Sequence, residues 1–339
     1  MLKLSNFIQR MLFIWLKIRI FLFKLKIKNK DRGRLSDQTI GLLVDNEPVD
    51  SFSFQTLAKE VQQVLLKNSI RSKIIFVDNN FLKNLNKHDI TMVFIGFSRV
   101  FQKEGTLQAL LEHNNIPYTG SDFSSTAVCL NKAMSKRIVS SEGFKTPEFI
   151  ELSSLEELNI KLIKKKIGFP LIVKPVHGTI SLDVHLVNSV KELNSVVKKC
   201  FEMDDSVLIE EYINGEEISM GVLGNKGCAE SLGILSVDRK DILDFTDKKI
   251  GKPTVFQNGS MSRFMKNKLG EEALKIFKIL NCQVFARMDF IIKGKKLYFL
   301  EINSIPGLFK QSFMTKSAKA AGIDRDELIL RILELSLKK

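Results

Sequence analysis

Two carboxylates, an amide and a guanidinium lie in neighbouring runs of strand-forming residues. One residue separates Arg287 from Asp289, and one residue separates Glu301 from Asn303. Alternate residues of a strand point to one face, so each pair shares a face. A three-residue loop from Gly294 to Lys296 would set Asp289 opposite Glu301. Such oxygen ligands, together with phosphate oxygens, suit Mg²⁺, although two salt-bridged surface strands would show the same pattern.

Lysines and glutamates elsewhere in the chain have the chemistry to bind a nucleotide. Lys174 ends an apolar run and precedes a loop with glycine and hydroxyl residues, 176–183, a context in which lysine can hold phosphates. Lys132 is a second candidate. Acidic residues flank the stretch 212–216 and would accept hydrogen bonds from a ribose or an adenine amine; they are Glu210, Glu211 and Glu217. Each of these residues, taken alone, is equally typical of a solvated protein face.

The elements that must position these residues follow an α/β order. Apolar runs that read as buried strands alternate with helical patterns, and this alternation predicts a parallel sheet. The strands are expected at 40–44, 73–77 and 91–96, and the helices at 54–68 and 105–113. A second unit follows residues 145–149 and holds runs 170–175 and 207–213. A third contains the hairpin 284–303 and a final helical segment, 325–338.

Length and composition exclude several protein classes. A chain of 339 residues with 44% hydrophobic and 27% charged residues is neither disordered, collagenous nor a polytopic membrane protein. Its four cysteines form no CxxC pair, which argues against a disulfide scaffold or a cysteine-rich zinc site. The net charge is +14, but residues 1–34 carry +9 of it. The remaining chain is only mildly basic, so we expect no nucleic-acid partner.

The N-terminal segment mixes bulky apolar residues with regularly placed cations. Lys3, Arg10, Lys17 and Lys24 recur every seven residues, and the longest apolar run is only Met11 to Leu16. That run is far short of the roughly 20 residues that a spanning helix needs. Residues 1–28 therefore predict an amphipathic helix on an anionic membrane surface. A helix packed on the protein's own body or on a partner is the alternative.

The order of these motifs resembles the ATP-grasp superfamily and, within it, the D-alanine–D-alanine ligases. The resemblance runs from about residue 38 to 337 and includes the segments 105-GTLQALLE-112, 117-PYTG-120, 169-FPLIVKP-175, 207-VLIEEYINGEE-217, 286-ARMDF-290, 300-LEINSIPG-307 and 331-RILEL-335. It implies an α/β, ATP-grasp fold: an N-terminal parallel-sheet α/β domain plus two α+β domains clasping ATP. The predicted N-terminal amphipathic helix is extra to this fold, because residues 1–34 lie outside the resemblance. The expected bounds are 1–36 for the basic segment, then 37–127, 128–218 and 219–339.

The resemblance also implies roles for individual residues. Contacts to the nucleotide phosphates are implied for Lys132, Lys174 and the lid residue Lys248. Glu210 would lie near the adenine, Glu211, Tyr212 and Ile213 would form the hinge, and Glu217 would bind the ribose. Two Mg²⁺ ions, with Mn²⁺ as an alternative, would be held by Asp289, Glu301 and Asn303. Oxyanion stabilisation is implied for Arg287 and the Gly307 N–H, and contacts on the substrate side for Ser312 and Ser181.

The implied activity is ATP-dependent ligation of a carboxylate to an amine through an acyl phosphate. The substrates would be amino acids or short peptides, and segment 238–251 would close over them. A homodimer is implied by the family alone. An ATP-dependent enzyme without a secretion signal is expected in the cytoplasm, with peripheral contact at the inner membrane surface.

Several substrate-side positions depart from the family pattern. Ile95-Gly96 stands where the family has His-Gly, Asp183 replaces a glycine of the phosphate loop, and Lys249 replaces the lid tyrosine. The N-terminal glutamate of the family has no clean match, although Glu47 or Asp50 lies nearby. Three interpretations stay open: a D-alanine–D-alanine ligase with a drifted site, a related ligase with another substrate, and a catalytically impaired ATP-binding regulatory or scaffold protein at the membrane surface.

Overall fold

The structure is a computed structural model that describes residues 34–45, 51–96, 105–177, 184–237, 254–255 and 261–339. Several expectations fall outside these residues. They are the amphipathic helix, the lid 238–251 and the positions of Glu47, Asp50, Ser181, Asp183, Lys248 and Lys249. Among the described residues, none of the helices has the length and apolar character needed to cross a membrane.

The first unit is the expected parallel sheet. Its strands are β1 (Thr39–Asp45), β2 (Arg71–Val77) and β3 (Met92–Phe94), in the order β2-β1-β3. Its helices are α1 (Ser51–Lys67), α2 (Phe81–Lys87) and α3 (Thr106–His113). Leu42 of β1 pairs with Ile74 on one side and Phe94 on the other. Apolar clusters cover both faces of the sheet, as a parallel sheet requires.

Two short helices lead from this unit to the next. Helix α4 (Phe123–Leu130) begins at Asp122, whose carboxylate accepts a hydrogen bond from Ser125 N at 2.8 Å. Helix α5 (Lys132–Ser141) begins at Asn131, whose side-chain oxygen accepts one from Met134 N at 2.8 Å. These caps satisfy amide groups that have no partner within their helices. The cap at Asn131 fixes the residue next to Lys132.

The second unit is a four-stranded antiparallel sheet in the order β4-β7-β5-β6. The strands are β4 (Phe149–Leu152), β5 (Leu171–Pro175), β6 (His185–Val187) and β7 (Val207–Glu211). A 3₁₀ turn (Leu155–Glu157) and helices α6 (Ile160–Lys166) and α7 (Val190–Phe201) complete it. Leu193 and Val197 of α7 are fully buried against Val173 of β5 and its neighbours.

The third unit is a five-stranded antiparallel sheet in the order β10-β9-β8-β11-β12. Its strands are β8 (Glu216–Leu223), β9 (Glu230–Val237), β10 (Thr254–Val255), β11 (Phe285–Lys293) and β12 (Lys296–Asn303). Helix α8 (Arg263–Ile279) lies across it, and α4 and α5 pack on β12. The proposed domain bound between residues 218 and 219 falls within β8.

The β11–β12 hairpin reaches the expected register by a different route. The prediction of a three-residue loop was wrong, because Lys293 pairs with Lys296 and only Gly294 and Lys295 form the turn. Asp289 nevertheless pairs with Glu301, because the register shifts by one residue between Asp289 and Phe290. Such a β-bulge accommodates one extra residue on one strand and re-aims its side chains.

The chain returns to the first unit at its end. Helix α9 (Phe313–Ala320) packs on β9, and α10 (Arg325–Ser336) packs on α1. One apolar cluster contains Val61 and Leu65 of α1 together with Ile329 and Leu333 of α10. The first sheet is therefore covered partly by the last helix of the chain.

The close approach of α9 to β9 generates a stability prediction. A Cβ on Gly233 would meet the Cβ of Ala320 and lie 2.9 Å from the Ser317 carbonyl oxygen. We expect Gly233→Ala to lower the free energy of unfolding by about 1–3 kcal/mol, because overpacking forces backbone shifts. Urea unfolding measures this change. Ala320→Gly in the Gly233→Ala background should recover part of it, and an unchanged unfolding midpoint in Gly233→Ala would contradict the packing described.

Candidate active site

The predicted acidic cluster forms on one face of β11 and β12. Asp289 and Glu301 are cross-strand partners, and Arg287 is the partner of Asn303. The Arg287 Nη2 donates to Asp289 Oδ2 at 2.8 Å and lies 3.8 Å from Glu301 Oε1. From the neighbouring strand β8, Ser219 Oγ donates to Asp289 Oδ1 at 2.6 Å. Asp289 is therefore held on both oxygens.

Electrostatics distinguish the two carboxylates. Burial raises the pKa of Asp289 and the negative Glu301 raises it further, against the opposing effect of Arg287. Burial would also raise the pKa of Glu301, but Lys132, Lys174 and Arg287 outweigh it and the pKa is lowered. A bound cation would relieve the repulsion between the two carboxylates.

The donor set of this face fits Mg²⁺. Two carboxylates and the side chain of Asn303 present hard oxygen ligands, which Mg²⁺ supplements with phosphate oxygens and water. The Asn303 Oδ1 also accepts a hydrogen bond from Ile305 N at 2.9 Å, which fixes the amide. Within the described ranges, no group of three or more His, Cys, Asp or Glu side chains is arranged to hold a metal unaided. Two carboxylates and one amide would leave coordination positions of Mg²⁺ for phosphate oxygens and water.

Both predicted phosphate lysines are buried, and Lys174 pairs with the buried carboxylate of Glu210. Lys174 Nζ of β5 lies 2.8 Å from Glu210 Oε2 of the adjacent strand β7. Lys132 Nζ donates to the Val176 carbonyl at 3.4 Å. Burial lowers the pKa of Lys132. Burial acts the same way on Lys174, but Glu210 and Glu301 outweigh it and its pKa is raised. Lys174 is thus held as a cation.

Glu210 has a second partner that the sequence did not predict. Its Oε1 lies 2.9 Å from the Nζ of Lys136, which is one turn beyond Lys132 on α5. Burial acts to raise the pKa of Glu210, but Lys136 and Lys174 outweigh it and lower the pKa to about 2. Its expected place near an adenine remains a prediction; the structure shows its carboxylate between two ammonium groups.

The predicted hinge joins the two antiparallel sheets. Residues 211–213 lead from β7 towards β8, and Glu211 N donates to the Glu148 carbonyl at 2.8 Å. Ile213 is buried, whereas Tyr212 is partly exposed. Glu217 lies on β8 opposite Ile291 of β11. A crossing point of this kind is where a nucleotide would contact both sheets.

The residues predicted to contact substrate lie near the start of α9, next to the acidic face. The Arg287 guanidinium lies over the Phe313 ring, with its Cζ 5.4 Å from the ring centroid. Ser312 caps α9, because its hydroxyl accepts a hydrogen bond from Thr315 N at 3.4 Å. Phe313 is the first residue of α9, so the positive end of the helix dipole lies beside Arg287. Gly307 lies between Ile305 and Leu308, which are buried in the two clusters of the first unit. These residues carry donors suited to carboxylate and oxyanion groups.

Further side chains support these residues without having been predicted. The backbone N and ring Nδ1 of His177 lie 2.6 and 3.1 Å from the Asp204 carboxylate, and its Nε2 lies 3.3 Å from Asn131 Nδ2. Ile95, where the family has histidine, is buried in the apolar cluster of the parallel sheet. Lys136 repeats the helical spacing of Lys132, which was the one available signal for it. Ser219 and Asp204 had no signal, because their partners are distant in sequence.

Sequence comparison identifies a family over most of the chain. The family model described as "D-ala D-ala ligase C-terminus" matches residues 138–334. The D-alanine–D-alanine ligase A of Bacillus cereus is 37% identical over 251 residues, covering 74% of this chain and 82% of that protein. The ligase of Carboxydothermus hydrogenoformans is 33% identical over 285 residues, covering 81% and 91%.

Solved structures show the same architecture. A crystal structure of the Bacillus anthracis D-alanine–D-alanine ligase complexed with ATP superposes with a TM-score of 0.76 at 31% identity, covering 89% of this chain and 97% of that chain. A D-Ala:D-Ser ligase from Enterococcus faecalis shares the fold at 21% identity and a TM-score of 0.73, covering 88% and 99%. The expected fold class is thereby confirmed.

The low pKa of Glu210 predicts an acid-sensitive component of stability. The pKa falls from an ordinary 4.5 to about 2, so the ionised group contributes stability above pH 4.5 that is lost as pH falls towards 2. On lowering the pH from 6 to 3, the unfolding free energy of the wild-type protein should fall about 2 kcal/mol more than that of Glu210→Gln. Urea titrations at each pH measure the difference.

A matched control separates this effect from general acid unfolding. Glu230 is an exposed partner of Arg331, with 51% of its side chain accessible. Glu230→Gln should follow the wild-type pH dependence. Equal pH slopes for the wild type and Glu210→Gln would show that the buried ion pairs do not lower the pKa of Glu210.

Proposed function

Because the chain belongs to the D-alanine–D-alanine ligase family of ATP-grasp enzymes, we propose that it joins the carboxylate of one amino acid or short peptide to the amine of another, with ATP converted to ADP and phosphate. The observation that carries this proposal is the acidic face of β11 and β12. It combines Asp289 and Glu301 with Arg287, and the charges of Lys132 and Lys174 lower the pKa of Glu301. Two salt-bridged surface strands would leave these three side chains more exposed than the observed 14–25%.

The nucleotide would be held by residues on both antiparallel sheets. Lys132 and Lys174 are assigned to its phosphates, with Lys248 of the lid as a further contact. Residues 211–213 are assigned to the hinge beside the adenine together with Glu210, and Glu217 to the ribose. Ser181 belongs to the phosphate loop in this scheme.

Asp289, Glu301 and Asn303 would hold the magnesium ions. Bound there, Mg²⁺ would neutralise charge on the ATP phosphates during transfer. Mn²⁺ shares the preference for oxygen ligands and is the alternative metal. The residues of the chain supply the rest of the chemistry.

In the first step, a substrate carboxylate oxygen attacks the γ-phosphorus of ATP, and the bond from that phosphorus to the bridging oxygen of ADP breaks. The products are an acyl phosphate and ADP. The cations of Lys132 and Lys174 offset the negative charges that this approach brings together. Lys174 remains protonated for this role because Glu210 and Glu301 raise its pKa.

In the second step, the amine of the other substrate attacks the acyl carbon. The tetrahedral intermediate carries an oxyanion, which Arg287 and the Gly307 N–H would stabilise. The amine loses a proton, the carbon–oxygen bond to phosphate breaks, and an amide and inorganic phosphate remain. Ser312, at the start of α9, is assigned to a substrate carboxylate.

Phosphate release tests the proposal directly. Purified protein is given ATP and Mg²⁺ with a panel of D- and L-amino acids, dipeptides and hydroxy acids. Release that requires D-alanine and yields the dipeptide would establish the activity named in the relatives, and another acid–amine pair would define a changed substrate. ATP binding without phosphate release above background would contradict the ligase proposal.

Asp289→Asn should abolish the metal-dependent reaction. The variant keeps the size of the side chain but removes a charge that faces the metal, so we expect phosphate release to fall at least about a thousandfold. Asp326→Asn, an exposed change at the start of α10, serves as the control and should keep full activity. Retained turnover in Asp289→Asn would contradict the assignment of Asp289 as a metal ligand.

We also propose that residues 1–28 bind the surface of an anionic membrane while the ligase body remains in the cytoplasm. A variant that lacks the N-terminal segment tests this proposal. Its deletion should end at residue 33, because the side chain of Leu35 is fully buried in the core of the first unit. We expect the deleted protein to keep its ATP turnover and to lose sedimentation with vesicles that contain anionic lipid. Unchanged sedimentation would contradict the anchor. The family resemblance further suggests a homodimer, which light scattering would measure.

A further inference from the structure

Lys136 is a buried ammonium group that none of the proposed steps uses. Its side chain is completely inaccessible to solvent, although it carries a charge near the nucleotide site. Burying an unpaired ammonium group costs several kcal/mol, so such a residue persists only where partners compensate it. Burial lowers its pKa to about 8, against the effect of Glu210. Its partners therefore show what the residue does.

The two partners of Lys136 lie on two different strands, and the residue itself lies on a helix. The ammonium lies 2.9 Å from Glu210 Oε1 on β7, and it donates to the Phe299 carbonyl on β12 at 3.4 Å. The side chain itself projects from α5, the helix that begins with Lys132. One charge thus links the four-stranded sheet, the five-stranded sheet and the helix that carries a phosphate lysine.

The arrangement divides the Glu210 carboxylate between two lysines. Lys136 occupies Oε1, and Lys174 lies 2.8 Å from Oε2. Without Lys136, both oxygens of Glu210 could turn towards Lys174. Glu210 and Lys174 would then form a one-to-one ion pair. A lysine neutralised in this way offers less positive charge to a phosphate. Lys136 therefore influences Lys174 through the Glu210 carboxylate that lies between them. Glu301 is a second acid whose charge acts to raise the pKa of both lysines.

We propose that Lys136 is a positioning residue for ATP: it fixes the Glu210 carboxylate so that Lys174 stays directed at, and electrostatically available to, the nucleotide phosphates. This inference rests on the proposed nucleotide site and adds a residue to it. It requires the effect of Lys136 to depend on the charge of Glu210. A residue that merely filled space would show no such dependence.

The test measures MgATP binding by calorimetry in four proteins: the wild type, Lys136→Met, Glu210→Gln and the double variant. We expect Lys136→Met to raise the Kd for MgATP about tenfold in the wild-type background and less than about threefold in the Glu210→Gln background. The KM for ATP should follow the Kd, while kcat at saturating ATP changes less. Arg137→Met is the matched control, because Arg137 is the next residue on the same helix, is 54% exposed and pairs with Glu151; its Kd should equal that of the wild type.

Folding and function are separated in the same experiment. Urea unfolding identifies variants that bind weakly because they are unfolded. The double variant also removes the buried Glu210 carboxylate, which loses one of its two ammonium partners in Lys136→Met. An unchanged Kd in folded Lys136→Met, or the same increase in both backgrounds, would overturn the positioning role. Binding is read without turnover, so wild-type protein that binds MgATP but forms no product would defeat the ligase proposal and still test Lys136.

Discussion

Pairing of buried charges is the constraint on which this site depends. Four cations and three carboxylates are brought together by helix α5 and both antiparallel sheets; they are Lys132, Lys136, Lys174, Arg287, Glu210, Asp289 and Glu301. The lysines and Glu210 are buried and would not be tolerated alone, whereas Arg287, Asp289 and Glu301 keep 14–25% of their side-chain surface accessible. Together the four cations and three carboxylates leave one positive charge in excess. That balance suits a ligand that is strongly anionic and brings metal ions with it.

The cores place these charges by holding three sheets in a fixed relation. The segment after β12 illustrates this, because Ile305 and Leu308 are buried in the two cores of the first unit while Asn303 belongs to the acidic face. Arg325 Nε donates to the Leu308 carbonyl at 2.8 Å and its Nη2 pairs with Glu60 of α1 at 2.7 Å. The backbone around Gly307 is consequently anchored from the first unit as well as from the five-stranded sheet.

The sequence predicted elements and residue pairs better than it predicted how they are joined. Periodicity identified the parallel sheet, and the two-residue spacings identified the acidic face. The route to the register was mispredicted, because a shorter turn and a bulge compensate one another and local residue types do not reveal a bulge. Lys136 and Ser219 were missed for another reason: their roles arise from partners more than 65 residues away, at Glu210 and Asp289. Only tertiary packing defines such contacts.

The residues that form the described charge pairs are not the residues that depart from the family pattern. Asp289 and Lys174, which are assigned to metal and phosphate, lie on paired strands, where Asp289 is held by Arg287 and Ser219, and Lys174 by Glu210. A substitution there would leave a buried charge unpaired, so the constraint on this part is strong. The departures from the family pattern are at other positions: Ile95, which is buried in the apolar cluster of the parallel sheet, and Asp183 and Lys249, which lie outside the described residues. The charge pairs that the structure describes therefore contain none of these departures.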